Sequence, residues 1–121
     1  MSSTLLASLE MAPSRAVEQL ETELGLSNAD IARALNTNPR TVLRWLAGQT
    51  FPQHAARRRL AALLNLQRRL RETFTTSEAA REWLHSANRS LGGFTPAEAV
   101  RVGRLDRVEA ALEALDSGVF V

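Results

Sequence analysis

The chain contains no cysteine and no lysine, and it is poor in aromatic residues. The absence of cysteine excludes a disulfide framework, thiol catalysis and a zinc site with cysteine ligands. Leucine and alanine supply most of the apolar side chains, and both favour helices over strands. No apolar run approaches the roughly 18 residues needed to cross a membrane, and the start of the chain lacks the pattern of a signal peptide. We therefore expect an all-α protein located in the cytoplasm.

Every basic side chain is an arginine, and the charges are distributed unevenly along the chain. Residues 1–72 hold ten arginines against six acidic residues, whereas residues 73–121 hold five against seven. An arginine guanidinium donates two parallel hydrogen bonds, which suits phosphate groups and base edges. The front part of the chain therefore suits an anionic partner, and the back part does not.

Start and stop signals divide the chain into a series of short helices and one long one. Capping boxes, in which a side-chain oxygen accepts from the N–H three residues later, are predicted at Ser27–Asp30, Thr75–Glu78 and Thr95–Glu98. Glycines follow the apolar stripe of several helices, as is typical of helix ends. We expect two domains, a front domain over residues 1–72 that ends in a long connecting helix and a small helical domain over residues 73–121.

Residues 27–48 carry the pattern of a helix-turn-helix, with the turn at Asn36–Thr37. Ala32 is small enough for the two helices to cross closely, and apolar residues hold the second helix against the first. These apolar residues are Ile31, Leu35, Val42 and Trp45. The alternative is an ordinary antiparallel helix pair within an all-α core. Trp45 and Trp83 are both expected to be mostly buried.

Polar and basic side chains occupy the first turns of the second helix, the end that enters the major groove of DNA in such motifs. The candidate DNA-binding residues are Asn38, Arg40, Thr41 and Arg44. Arg40 and Arg44 are four residues apart and share a helix face, so either can reach the O6 and N7 acceptors of guanine. The run 57–59 is a weaker candidate, because three arginines on a helix either contact phosphates or form a solvated face.

The stretch LSNADIARALNTNPRTVLRWLAGQTFP resembles the Xre/Cro family of helix-turn-helix proteins. The segment 41–45, Gly48 and Pro52 follow that family in order. The resemblance implies binding to double-stranded operator DNA, and we expect a homodimer because such proteins use paired half-sites. Leu43 departs from the pattern, since a polar residue is usual there. It either contacts a thymine methyl group or weakens the contact with DNA.

The back part of the chain is similar to the C-terminal domain of MbcA/ParS/Xre-type antitoxins. The similarity is carried by Trp83, Asn88–Gly93, Pro96, Gly103–Arg104, Leu112 and the ending Gly118–Val121. It implies a partner, a RES-domain toxin that degrades NAD⁺ and whose active site the antitoxin occludes. It also implies that the front domain represses the shared operon.

The apolar residues Val119, Phe120 and Val121 follow the stop signal of the last predicted helix. Terminal residues are usually polar or frayed, so an apolar group there is expected to be buried either in the protein's own core or in a partner. Because of the family resemblance, we expect these residues to be buried in a partner, with the Phe120 ring as the anchor of the interface. Arg101 and Arg104 are further candidates for toxin contacts, although both can equally be solvated.

Nothing in the sequence suggests catalysis or a bound cofactor. His54 and His85 are isolated, which does not suit a metal site, and no catalytic triad or pair of carboxylates stands out. We expect a type II antitoxin that is not an enzyme and holds no metal. Two alternatives remain: a plain Xre-like repressor whose C-terminal domain only dimerises, and a helical adaptor that no longer binds DNA.

Overall fold

The computed structural model describes residues 12–118 and confirms the all-α class, with no strand in that range. The helices are α1 (Pro13–Leu24), α2 (Asn28–Ala34), α3 (Pro39–Leu46), α4 (His54–Thr73), α5 (Ser77–Leu84), α6 (Pro96–Arg101) and α7 (Leu105–Ser117). A single-turn 3₁₀ helix, Arg89–Leu91, lies between α5 and α6. No helix within the described range is both long and apolar enough to cross a membrane.

Two of the three predicted capping boxes are confirmed, at the starts of α2 and α6. At each, the N-cap hydroxyl accepts from the N–H three residues on, and the acidic side chain at that residue accepts from the N-cap N–H. The prediction at Thr75–Glu78 is wrong, because Thr76 caps α5 and accepts from Ala79 N–H at 3.1 Å. Both threonines offer the same hydroxyl. Helix α5 therefore begins one residue later than predicted.

The buried apolar side chains form one connected core with contributions from both sides of residue 72. Leu20 and Leu24 of α1 belong to it together with Leu70 of α4 and Leu112 of α7. Trp45 is only 3% exposed, as expected, and Trp83 is partly buried beside Phe74, with ring centroids 5.9 Å apart. The predicted division into two domains at residue 72 therefore stays a prediction about which part of the chain performs which function, because both parts contribute to one core.

The C-terminal end of α1 is held by cationic and ring nitrogens from α5. Arg81 Nη1 donates to the carbonyl oxygens of Thr22 and Glu23, both at 3.3 Å. His85 Nε2 lies 3.0 Å from the carbonyl oxygen of Leu24. The last carbonyls of a helix have no partner within it and carry partial negative charge, so a cation there is stabilising. This contact joins the front part of the chain to the back part.

Gly25 ends α1 and lets the two side chains of α5 approach this closely. Its φ of +67° lies in the left-handed region. A Cβ at this position would lie 3.3 Å from both Arg81 Cδ and His85 Nε2. Gly25 is thus required twice, once for its backbone conformation and once for the space above it.

We expect Gly25→Ala to destabilise the protein more than a glycine substitution that only forces a non-glycine residue into the left-handed backbone conformation. Gly48 is the matched control, because its φ is +73° and a Cβ there would meet nothing within 4 Å. Gly48→Ala should lower the free energy of unfolding by about 1 kcal/mol, the cost of a left-handed non-glycine residue. Gly25→Ala should cost about 1 kcal/mol more, because the Arg81 and His85 side chains must also give way to the new methyl group. Urea unfolding followed by circular dichroism measures both, and equal losses would contradict the role assigned to the contact.

Candidate functional site

Helices α2 and α3 are joined by a short turn that depends on one residue with an unusual backbone conformation. Asn36 has a φ of +57°, which asparagine tolerates better than most residues. Its N–H donates to the carbonyl of Arg33 at 3.1 Å, and Thr37 N–H donates to that of Ala32 at 2.8 Å. These bonds satisfy the end of α2 and turn the chain into α3, at the position expected for the turn.

Helix α3 has one buried face and one exposed face. Val42 and Trp45 are buried in the core, and α3 packs against both α1 and α2. Arg40 and Arg44 are exposed on the other face, and Leu43 between them is 57% exposed. The packing therefore leaves a surface of two guanidinium groups around one isobutyl group available to a partner.

Asn38 and Thr41, predicted to contact DNA, are hydrogen-bonded to each other. Asn38 Oδ1 accepts from Thr41 N–H at 2.9 Å and from the Thr41 hydroxyl at 3.2 Å. The first bond caps α3 and contributes about 1 kcal/mol. Asn38 and Thr41 therefore stabilise the first turn of α3. The guanidinium groups of Arg40 and Arg44 form no ion pair within residues 12–118.

Arg101, predicted as a toxin contact, is paired within the chain. Its Nε donates to Asp30 Oδ1 at 2.8 Å, while Asp30 Oδ2 accepts from Ser27 N–H at 3.1 Å. The Asp30 side chain is 13% exposed and that of Arg101 is 43% exposed. The Asp30 carboxylate thus caps the start of α2 and also binds Arg101 at the end of α6. Only part of the Arg101 guanidinium is left for a partner.

Arg104 is paired more loosely, in a bidentate contact with Asp106 in which both N···O distances are 3.1 Å. Both side chains are more than half exposed, and such surface pairs contribute at most about 1 kcal/mol. A partner carboxylate can therefore replace Asp106 at little cost. The other predicted toxin-binding residues, Val119, Phe120 and Val121, lie outside the described residues.

The structure also brings together residues that the sequence did not single out. Arg33 of α2 and Arg107 of α7 lie with Arg101 and Arg104 along one groove, beside exposed apolar side chains. The arginines at 33 and 107 are 74 positions apart, so no local pattern connects them. Only the packing of α6 against α2 and α7 puts them on one surface.

Comparisons with known proteins give one consistent result. Residues 69–118 match the family described as the antitoxin Xre/MbcA/ParS C-terminal toxin-binding domain. The mycobacterial cidal antitoxin MbcA of Mycobacterium tuberculosis and of Mycobacterium bovis is 38% identical over 98 residues, which cover 81% of this chain and 86% of the relative. A probable mycobacterial cidal antitoxin of M. tuberculosis is 30% identical over 97 residues, which cover 80% and 82%.

A solved structure agrees with these relatives. A chain in the crystal structure of the M. tuberculosis MbcT–MbcA toxin–antitoxin complex matches with a TM-score of 0.66 and 35% identity, over 89% of this chain and 96% of that chain. The shared architecture is a small all-helical protein whose back part matches a toxin-binding domain. The chain belongs to the MbcA family of antitoxins, and the resemblance inferred from its sequence is confirmed.

Glu98, which lies in the groove and closes the capping box of α6, supports a pH prediction. The Thr95 backbone N–H donates to Glu98 Oε1 at 2.8 Å, and this bond is the largest of the effects that lower the pKa of Glu98 below its ordinary 4.5. A carboxyl with a lowered folded-state pKa stabilises the protein above its unfolded pKa and loses that effect as the pH falls through the folded value. We expect Glu98→Gln to reduce the loss of stability between about pH 5 and about pH 3. Urea unfolding across this range measures it, and equal pH slopes in both proteins would contradict it.

Proposed function

We propose that this chain is the antitoxin of a type II system that inhibits a RES-domain toxin and also represses its own operon. The toxin degrades NAD⁺, and the antitoxin acts by occluding the toxin's active site rather than by catalysing a reaction. The observation that carries the proposal is the match of residues 69–118 to a toxin-binding domain. The likeness to a chain of a toxin–antitoxin complex supports it over nearly the whole described range.

The inhibitory contact is assigned to the end of the chain. Residues 119–121 follow α7, whose last turn is closed by Gly118 with a φ of +70°. Val119, Phe120 and Val121 are apolar, and an aromatic anchor in a pocket contributes much of the energy of an interface. Arg101 and Arg104 supply positive charge on the same domain, at the other end of α7.

The repressor activity is assigned to the exposed face of α3. Arg40 and Arg44 present guanidinium groups to the major groove, where each can pair with a guanine. Asn38 and Thr41 orient the first turn of α3 and add contacts to the backbone or to a thymine methyl. Leu43, exposed between the arginines, fits a thymine methyl group. A homodimer places two such helices about 34–36 Å apart on operator DNA.

The proposed inhibition of a toxin is tested with the product of the reading frame next to this chain's gene. We expect that product to arrest growth when expressed alone and to be neutralised by co-expression of the full chain. A chain that lacks residues 119–121 should lose neutralisation, because the apolar anchor is gone. Growth curves and NAD⁺ levels in the co-expressing cells measure the effect.

The matched control for the truncation keeps the chain length and replaces Phe120 alone by alanine. It should lose most of the protection if the aromatic ring is the anchor. Full protection by the truncated chain would exclude the end of the chain as the inhibitory element. Absence of any toxic neighbour would leave the plain repressor, the alternative in which the back domain only dimerises.

The DNA arm is tested on the fragment upstream of this chain's own reading frame. Arg40→Ala and Arg44→Ala should each weaken binding by about 1–3 kcal/mol if the arginines contact bases. Arg89→Ala is the matched control, since Arg89 is exposed in the 3₁₀ helix of the back part. Fluorescence anisotropy at a fixed salt concentration measures all three. Unchanged affinity for both α3 variants would remove these residues from the DNA interface.

A further inference from the structure

The groove noted beside Arg101 has a defined place and size. It lies between the 3₁₀ helix, α6 and the start of α7, is bordered by α2, and has a volume of about 640 Å³. Its lining includes four arginines and two apolar side chains: Arg33, Phe94, Arg101, Val102, Arg104 and Arg107. We call this surface the arginine groove.

The charge of the arginine groove is strongly one-sided. Four arginines and one carboxylate, Glu98, line it, and the carboxylate is occupied by the Thr95 N–H of its own capping box. Arg101 and Arg104 are paired with acidic residues, but Arg33 and Arg107 form no ion pair within residues 12–118. The groove therefore presents excess positive charge, although the back part of the chain is net negative.

Large apolar side chains stand beside these charges in contact with solvent. Phe94 is 64% exposed and Val102 is 62% exposed, and both line the groove. Removing such apolar surface from water favours the binding of a partner that covers it. An exposed aromatic and aliphatic pair rimmed by polar groups is typical of a surface that binds another protein. A nucleic acid backbone would meet the arginines but would gain nothing from these side chains.

We propose that the arginine groove is a second docking site for the toxin, and that it receives an acidic segment of the toxin carrying an apolar side chain. The inference rests on the proposed antitoxin function. Charge complementarity selects the acidic segment, and Phe94 and Val102 select the apolar side chain. All the lining residues except Arg33 lie within the part of the chain that matches the toxin-binding family.

The arginine groove and the end of the chain are separate contacts. The groove includes Arg104 and Arg107 at the start of α7, whereas residues 119–121 follow its other end. A helix of the 13 residues of α7 is about 20 Å long. A contact in the groove and a contact made by residues 119–121 would act together, because the second forms after the first has fixed the partner nearby.

The test measures the affinity of the full chain for the toxin encoded by the neighbouring reading frame, once co-expression has shown that the chain neutralises it. Calorimetry or biolayer interferometry at several salt concentrations gives this affinity. Arg107→Glu should weaken binding about tenfold or more and flatten its salt dependence, because it reverses an exposed charge in the groove. Phe94→Ala should weaken binding about tenfold at every salt concentration, because it removes apolar contact. Both side chains are exposed, and circular dichroism checks that the variants fold.

Matched controls change the same residue types outside the groove. Arg15→Glu reverses an exposed charge on α1, and Phe51→Ala removes an exposed aromatic side chain between α3 and α4. Both should bind the toxin within about twofold of the original chain. If the groove binds the toxin independently of residues 119–121, Arg107→Glu and removal of those residues should have additive effects on the logarithm of the affinity.

The outcomes separate this inference from the proposed function. Toxin binding that is unchanged in Arg107→Glu and Phe94→Ala overturns the docking site and leaves the antitoxin intact. A loss of operator affinity in Arg107→Glu with toxin affinity unchanged also overturns it, since the groove would then bind nucleic acid. No binding of the original chain to any neighbouring toxin overturns both.

Discussion

The position of helix α1 governs how the two parts of the chain face each other. On one side α1 packs against α3, the helix with the exposed arginines, and on another against α4 and α5. Its last carbonyls accept from Arg81 and His85, and Glu23 in its last turn accepts a bidentate contact from Arg71, with N···O distances of 2.6 Å. Helix α1 is thus fixed at one end by α4 and by the back part while it supports α3. The orientation of the exposed face of α3 depends on this fixation.

Local signals in the sequence were sufficient to predict most helix boundaries. A capping side chain, an acidic residue three positions on and a glycine beyond the last turn act within one helix, so no tertiary information is needed. The error at α5 has the same origin. Thr75 has an acidic residue three positions on and Thr76 does not, yet Thr76 is the N-cap of α5, so the local pattern alone does not decide between two adjacent hydroxyl groups.

The candidate site was predictable only where it lies on one helix. Arg40 and Arg44 are neighbours on α3 because of helical periodicity, and the structure leaves both exposed. The partner of Arg101 was not predictable, because Asp30 is 71 residues away in the sequence. The arginine groove was missed for the same reason, since its residues come from α2, the segment around the 3₁₀ helix, α6 and α7. Long-range packing decides which of these distant side chains meet.

The shared carboxylate of Asp30 has a consequence for how such proteins are inherited. Residue 30 belongs to the part of the chain that carries α3, whereas residue 101 belongs to the part that matches the toxin-binding family. Recombination that joins the front of one family member to the back of another separates these residues. A chimera with a neutral or acidic residue at position 101 would leave the Asp30 carboxylate without its partner on α6, so a front part and a back part taken from different relatives fit together best where this pair is kept.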